Sequence, residues 1–317
     1  MSGSMRSSLR QLDKANWFKR IFINIRKYPS LYLLALPVVI WYVLFCYKPM
    51  YGIIIAFQRF VPNKGVMNST WVGFNHFLNF FSDIYFGRLL RNTLMINLKM
   101  LLFGFPIPII FALMLNEIRS TAFRRVSQSI TYMPHFISSM IICGLMVDFC
   151  KTNGLLTSIF SFLGYDRVNL LSRGELFQGL YVGMNIWQEF GWDSIIYFAA
   201  LTAIDPMLYE AATVDGANRF KRMLHITLPG ISGTVIILLI LRIGHLMSLG
   251  WERVFLLYNP KIYETADIIS TYVFRRGIIE FQYSYATAVG LFNSVVNVIL
   301  LICANTLSRR VSETSLW

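Results

Sequence analysis

The 317-residue chain is 56% hydrophobic and only 14% charged, and carries a formal net charge of +13. Its mean hydropathy is +0.54. Water-soluble domains hold roughly 45–50% apolar and about 25% charged residues, so this balance excludes an ordinary soluble domain.

The first 30 residues are polar and basic, too long a leader for a cleavable signal peptide and without a small-residue cleavage site. Within them Trp17, Phe18, Ile21, Phe22 and Ile25 fall opposite Lys14, Lys19, Arg20, Arg26 and Lys27. That spacing predicts a basic amphipathic helix lying on an anionic leaflet, so the positive charge calls for membrane lipids and for no nucleic acid.

Six apolar runs follow, each close to the roughly 20 residues that cross about 30 Å of hydrocarbon. They are Leu31–Tyr47 (continuing to Phe57), Leu94–Leu115, Ile130–Phe149, Leu180–Ile204, Ile231–Leu249 and Tyr285–Leu307. None alternates apolar with polar residues, which a membrane β-barrel would require. The expected fold is therefore all-α, a polytopic membrane protein of six transmembrane helices. It has an N-terminal segment 1–30, a membrane domain 31–307 with an interior polar loop 205–229, and a tail 308–317.

Between the first two spans, Pro62-Asn63-Lys64-Gly65 signals a turn, and Trp71, Phe74, Phe77, Phe80 and Phe81 suit a cap at the membrane surface. Lys and Arg set the orientation. With the N-terminus inside, the inner segments hold 15 of them in about 76 residues, and the outer segments 12 in about 101. Both termini and the 205–229 loop are then cytoplasmic. Cys46, Cys143, Cys150 and Cys303 have no metal-ligand spacing and read as buried thiols. No phosphate-cradling loop, zinc-protease or nucleophile-elbow motif occurs, so the sequence points to no enzyme and to no cofactor of its own.

The loop is the most specific feature. Asp205 and Pro206 make a helix start, Gly216 permits a reversal, Arg219 to His225 can resume as a basic turn, and Pro229 begins the next apolar run. The pattern Glu210-Ala211-Ala212, three residues, Gly216, nine residues, then Ile226-Thr227-Leu228-Pro229 resembles the cytoplasmic coupling loop of ATP-binding-cassette importer permeases. Tyr263–Val273, Gln282–Phe292, Gly104-Phe105-Pro106-Ile107-Pro108 and the C-terminal Ser308–Trp317 are similar to one sugar-permease subfamily, associated with complex oligosaccharides, including uronate-containing ones.

The resemblance implies the type I importer permease fold in a bacterial cytoplasmic membrane. It also implies a second permease subunit, usually a different one, two cytoplasmic ATPases that bind ATP and Mg, and an external solute-binding protein. Residues Glu210, Ala211, Ala212, Asp215, Gly216, Ile226, Leu228 and Pro229 are the implied coupling set. Ala211 and Ala212 would be small enough to enter an ATPase cleft, and Glu210 would pair with a basic group there or cap the following turn.

Membrane-embedded polar groups are costly and usually face a cavity or a partner. The fourth span carries Asn185, Trp187, Gln188, Glu189, Trp192 and Asp193, with Lys99 and Arg242 near mid-depth of two others. Glu189 and Asp193 lie one turn apart. Two readings stand: these residues line a sugar passage, or Lys99 and Arg242 neutralise Glu189 and Asp193 to hold helices together. Asn293 and Asn297 in the last span suit interhelical hydrogen bonds. A permease of the same build for a peptide, amino acid or polyamine, and a self-sufficient secondary transporter, are the alternatives.

Overall fold

The computed structural model describes residue 24 and residues 26–311, which fall into two compact units, Met1–Ile54 and Ile55–Trp317. Of the predicted amphipathic stripe, Lys14 to Phe22 and Ile25 lie outside the described residues, and Arg26 and Lys27 are exposed. The first unit holds most of α1 (Pro29–Phe57). No side chain of Pro29–Trp41 is buried, and Leu31, Leu33, Leu34, Leu36 and Val39 expose apolar surface on every side. Such a helix requires lipid or another subunit around it.

The second unit begins with a short hairpin, β1 (Gln58–Arg59) paired antiparallel with β2 (Thr70–Trp71), and α2 (Asn75–Phe81). Phe57 stacks on Trp71 and meets Phe74 and Phe77. Phe80 departs from the expected surface cap: it is 1% exposed and packs edge-on against Phe86 and Phe292. Then come α3 (Phe86–Glu117), α4 (Thr121–Tyr132), α5 (Ser139–Cys150), α6 (Leu155–Phe162) and α7 (Gly174–Thr202). The chain closes with α8 (Pro206–Val214), α9 (Arg219–Gly244), α10 (Trp251–Leu257), α11 (Ile269–Phe274) and α12 (Tyr283–Val311). Among the described residues four helices are individually long and apolar enough to cross a membrane, and counting each of two bent pairs as one span brings the number to six.

The expected third span, Ile130–Phe149, is not one helix. The chain turns through 95° between α4 and α5. Pro134 has no amide to continue α4, a 3-10 turn takes Met133–Phe136, and the Ser138 hydroxyl caps α5 afresh by accepting from Ile141 N–H. With 12 residues, α5 is about 18 Å long, short of a full crossing. The fifth span also shifts. Pro229 does not begin it; the helix is continuous from Arg219, and a π-turn at Met223–Thr227 absorbs the missing proline donor. It stops at Gly244, where a Cβ would lie 2.6 Å from Leu301 Cδ1, and residues 245–247 form a turn.

One core joins α3, α5, α7 and α10 through Ile96, Ile142, Phe177, Tyr181 and Val254. A second joins α2, α3, α11 and α12 through Phe80, Leu89, Tyr272 and Val289. Asn297 meets its expectation: it accepts from Met247 N–H at 2.9 Å and donates to Ser248 at 2.8 Å. The Asn293 carbonyl oxygen, by contrast, is buried with no hydrogen-bond partner. All four cysteines are unpaired; Cys143 and Cys150 are buried, but Cys303 is exposed and Cys46 half-buried.

α4 and α7 touch at backbone distance. A Cβ built on Gly191 would stand 2.1 Å from the Thr131 carbonyl oxygen. Gly191→Ala is therefore expected to cost about 2–3 kcal/mol, since backbone cannot yield as a side chain would. Thermal unfolding of the detergent-solubilised assembly checks this, and an unchanged midpoint would sink it.

Candidate functional site: a polar cavity and an exposed loop

In the second unit α7 presents Asn185, Glu189 and Asp193 at successive turns, to one cavity of about 470 Å³. Its other walls come from Asn97 and Met100 of α3, Ser139 at the start of α5, Arg242 and the turn after α9, and Glu252 and Arg253 of α10. A second chamber of about 280 Å³ shares Gly104, Asp193, Arg242 and His245 with it and adds Phe105, Tyr197 and Leu238.

Arg253 organises this site. Its Nε donates to Ser139 Oγ at 3.1 Å, one terminal nitrogen to Asn185 Oδ1 at 2.5 Å and the other to Glu189 Oε1 at 2.9 Å. The second oxygen of Glu189 lies 2.7 Å from His135 Nδ1, and the His135 ring stacks on Trp192 with centroids 4.3 Å apart. Three elements are thus joined: the bend before α5, α7 and α10. A planar fork suits this task because it fixes several acceptors at once.

Four of the expected passage residues, Asn185, Glu189, Asp193 and Arg242, come together on this cavity. The other four do not. Gln188 is 2% exposed and donates to the Ile137 carbonyl at 3.1 Å, closing a backbone group left open by the bend. Trp192 braces His135 and Phe136. Trp187 faces an apolar groove with Ile142 and Met146. Lys99 donates to Gln178 at 2.8 Å and pairs with neither Glu189 nor Asp193. The counter-ion of Glu189 is Arg253, while Arg242 makes no ion pair among the described residues. Arg253 escaped the sequence reading because it sits in a connection between two of the long apolar runs, 64 residues from Glu189. Its signal was a single cation, next to Glu252, at the head of the apolar stretch Val254–Leu257.

The 205–229 loop is a self-braced, largely exposed turn. Asp205 Oδ1 accepts from Met207 N–H at 2.9 Å ahead of Pro206. Gly216 adopts φ +74°, and Ala217 N–H returns to Ala212 O at 2.9 Å, which closes α8. Asn218, and not Glu210, caps the following turn by accepting from Lys221 N–H. Tyr209 and Thr227 hydroxyls meet at 3.0 Å. Glu210, Ala211, Asp215, Gly216 and Pro229 are exposed, while Ala212, Ile226 and Leu228 are half-buried. Met207, Leu208, Val214 and Phe220 are apolar side chains left exposed.

Between α2 and α3, Asp83 accepts from the hydroxyls of Tyr272 at 2.5 Å and Tyr285 at 3.0 Å and from Tyr85 N–H at 2.9 Å. Burial alone would raise its carboxyl, but these bonds and the Arg276 charge outweigh that and hold it below the ordinary value. Its contribution to stability is thus complete above the ordinary carboxylate pKa and fades as pH falls through the lowered one.

Residues 104–313 match the family model described as the binding-protein-dependent transport system inner membrane component. The polygalacturonan/rhamnogalacturonan transport system permease protein YteP of Bacillus subtilis (strain 168) is 44% identical over 94% of both chains. Protein LplB of the same organism is 44% identical over 90% of this chain and 91% of its own. A chain in the crystal structure of a bacterial ABC transporter involved in import of the acidic polysaccharide alginate superposes with TM-score 0.84 at 44% identity, covering 92% of this chain and 99% of that one. With the bent spans and the polar cavity in hand, these matches place the chain in the binding-protein-dependent inner membrane component family, as a multi-pass permease of the type I ATP-binding-cassette fold and not an enzyme.

Proposed function

We propose that this chain is one of two permease subunits of an ATP-driven importer that passes acidic oligosaccharides through the cavity beside Asn185, Glu189, Asp193 and Arg242. The observation that carries the reading is Arg242, a cation on the cavity wall with no ion-pair partner among the described residues, next to a Glu189 already neutralised by Arg253. Asp193 lines the same cavity and feels the Arg242 charge without forming an ion pair with it, so a carboxylate-bearing sugar would supply the direct partner, through the strong, short contact that guanidinium and carboxylate make. YteP and the alginate importer, named for acidic polysaccharides, support the same class. A related alginate transporter is described in complex with a periplasmic protein carrying an alginate pentasaccharide, which supports an external binding protein as partner here. The second permease and two ATPases complete the assembly.

The coupling set Glu210, Ala211, Ala212, Asp215, Gly216, Ile226, Leu228 and Pro229 docks on an ATPase from the cytoplasm, and the exposed apolar residues Met207, Leu208 and Val214 give that contact its area. This requires both termini inside. Cysteines placed at Asn63 and Lys261 should react with an impermeant maleimide in intact cells, and one at Asn218 only after permeabilisation. A reactive Asn218 site in intact cells overturns the orientation. For the substrate, Arg242→Met is expected to lower uptake of an acidic oligosaccharide about 10- to 100-fold, the worth of one charge-assisted hydrogen bond. Uptake of a neutral oligosaccharide of equal length should hardly change. Equal losses for both would end the acidic reading.

A further inference from the structure

Away from the passage, a third cavity of about 450 Å³ opens between the hairpin, α2 and the start of α12, with Arg59, His76, Asp83, Arg276, Phe281 and Tyr283 on its walls. Its volume falls within the roughly 300–1,000 Å³ of small-molecule sites. On the orientation proposed above it faces outside.

Three observations bear on its use. The first is unspent bonding capacity. Arg59 is exposed and makes no ion pair among the described residues, and the Arg276 Nε is buried without a hydrogen-bond partner although its terminal nitrogen holds Glu280 at 2.6 Å. The second is a strained aromatic. Phe281 has φ +57°, a left-handed conformation that side-chain-bearing residues seldom adopt, and yet its ring is 70% exposed. No burial compensates the strain, so the folded chain alone does not explain the residue; strain of this kind clusters where ligands bind. The third is rigid walls. Phe60 N–H donates to Ser284 Oγ at 2.9 Å, and Asp83 ties Tyr272 to Tyr285, so the space is formed before anything enters it.

The rings of Phe281 and Tyr283, with centroids 6.2 Å apart, make an apolar corner beside two guanidinium groups. A uronate ring offers the matching pair of surfaces: a C–H face to lie on an aromatic ring and a carboxylate for an arginine fork. We propose that this cavity is an entry subsite for an acidic saccharide, which holds one end of the oligosaccharide outside the passage. The inference rests on the acidic-oligosaccharide reading above.

The test replaces Asn79, exposed on the cavity wall, by cysteine in the full importer, with Cys46 and Cys303 changed to serine. Labelling by an impermeant maleimide is followed in cells with and without the external binding protein. Trigalacturonate is the probe and galactotriose the neutral control. Trigalacturonate should slow labelling severalfold in cells lacking the binding protein, and galactotriose should not. Phe281→Gly, which fits the left-handed backbone and so keeps the fold, should abolish the protection, as should Arg59→Gln. Protection that needs the binding protein and no sugar would overturn the proposal and make the cavity a seat for that protein's acidic side chains. Normal trigalacturonate uptake without protection would overturn the subsite alone, whereas absence of both would overturn the substrate reading with it.

Discussion

Arg253→Met is expected to destabilise the permease by about 3 kcal/mol and to abolish transport, although Arg253 lies outside every long apolar run. The estimate sits at the low end for breaking a buried ion pair, because the side chains of Arg253 and Glu189 remain 22% and 25% exposed. Methionine keeps most of the volume and removes every donor, so Asn185 and Ser139 lose partners and Glu189 retains only His135. Glu189→Gln alone should cost less, since an amide still hydrogen-bonds and carries no charge to strand. Combining the two should recover part of the Arg253→Met loss, as expected where one residue's absence makes the other's charge the liability. The readout is thermal unfolding of the purified assembly for the four members of the cycle. Additive losses in the double variant would remove Arg253 from its role as the counter-ion of Glu189.

Gly216→Leu is the second large effect. A Cβ at Gly216 meets nothing within 4 Å, so the chain has room for a side chain. What it lacks is backbone tolerance: at φ +74° a leucine is strained by roughly 1–2 kcal/mol, and the added side chain stands where an ATPase would dock. Insertion should be near normal because the loop carries little of the core. Uptake should fall to background while the ATPase continues to hydrolyse ATP without stimulation by loaded binding protein. Gly216→Asn separates the two causes, because asparagine accepts this conformation at little cost. It should keep substantial coupling, and Glu210→Ala should be impaired less than the leucine variant. Normal uptake by Gly216→Leu would remove Gly216 from the coupling set.

The loop and the helices were legible because their signals are local. Asp205 before Pro206, and a glycine where the chain reverses, state their conformations within a few residues. The face shared by Asn185, Glu189 and Asp193 follows from helical spacing alone. The partners of that face did not, since charge and depth favoured Lys99 and Arg242, whereas the fold sets Lys99 against Gln178 and gives Glu189 to Arg253 from a connection between two apolar runs. The bend at Pro134 is the instructive case. Pro134 and Ser138 are ordinary stop and start signals, but the largely apolar run Ile130–Phe149 that contains them outweighed both in its hydropathy.

That bend also carries a consequence for the order in which the chain assembles. The Ile137 carbonyl is satisfied by Gln188, 51 residues later, and Ser139 is held by Arg253, 114 residues later. While synthesis has reached only Cys150, neither partner exists, and an open carbonyl in hydrocarbon costs several kcal/mol. At that stage a nearly continuous helix over Ile130–Phe149 is the cheaper state, which is the state hydropathy describes. The right-angled fold is then a late step, taken once α7 and α10 have arrived to receive it, so the sequence first reads as a simple span and acquires its corner from its own downstream half.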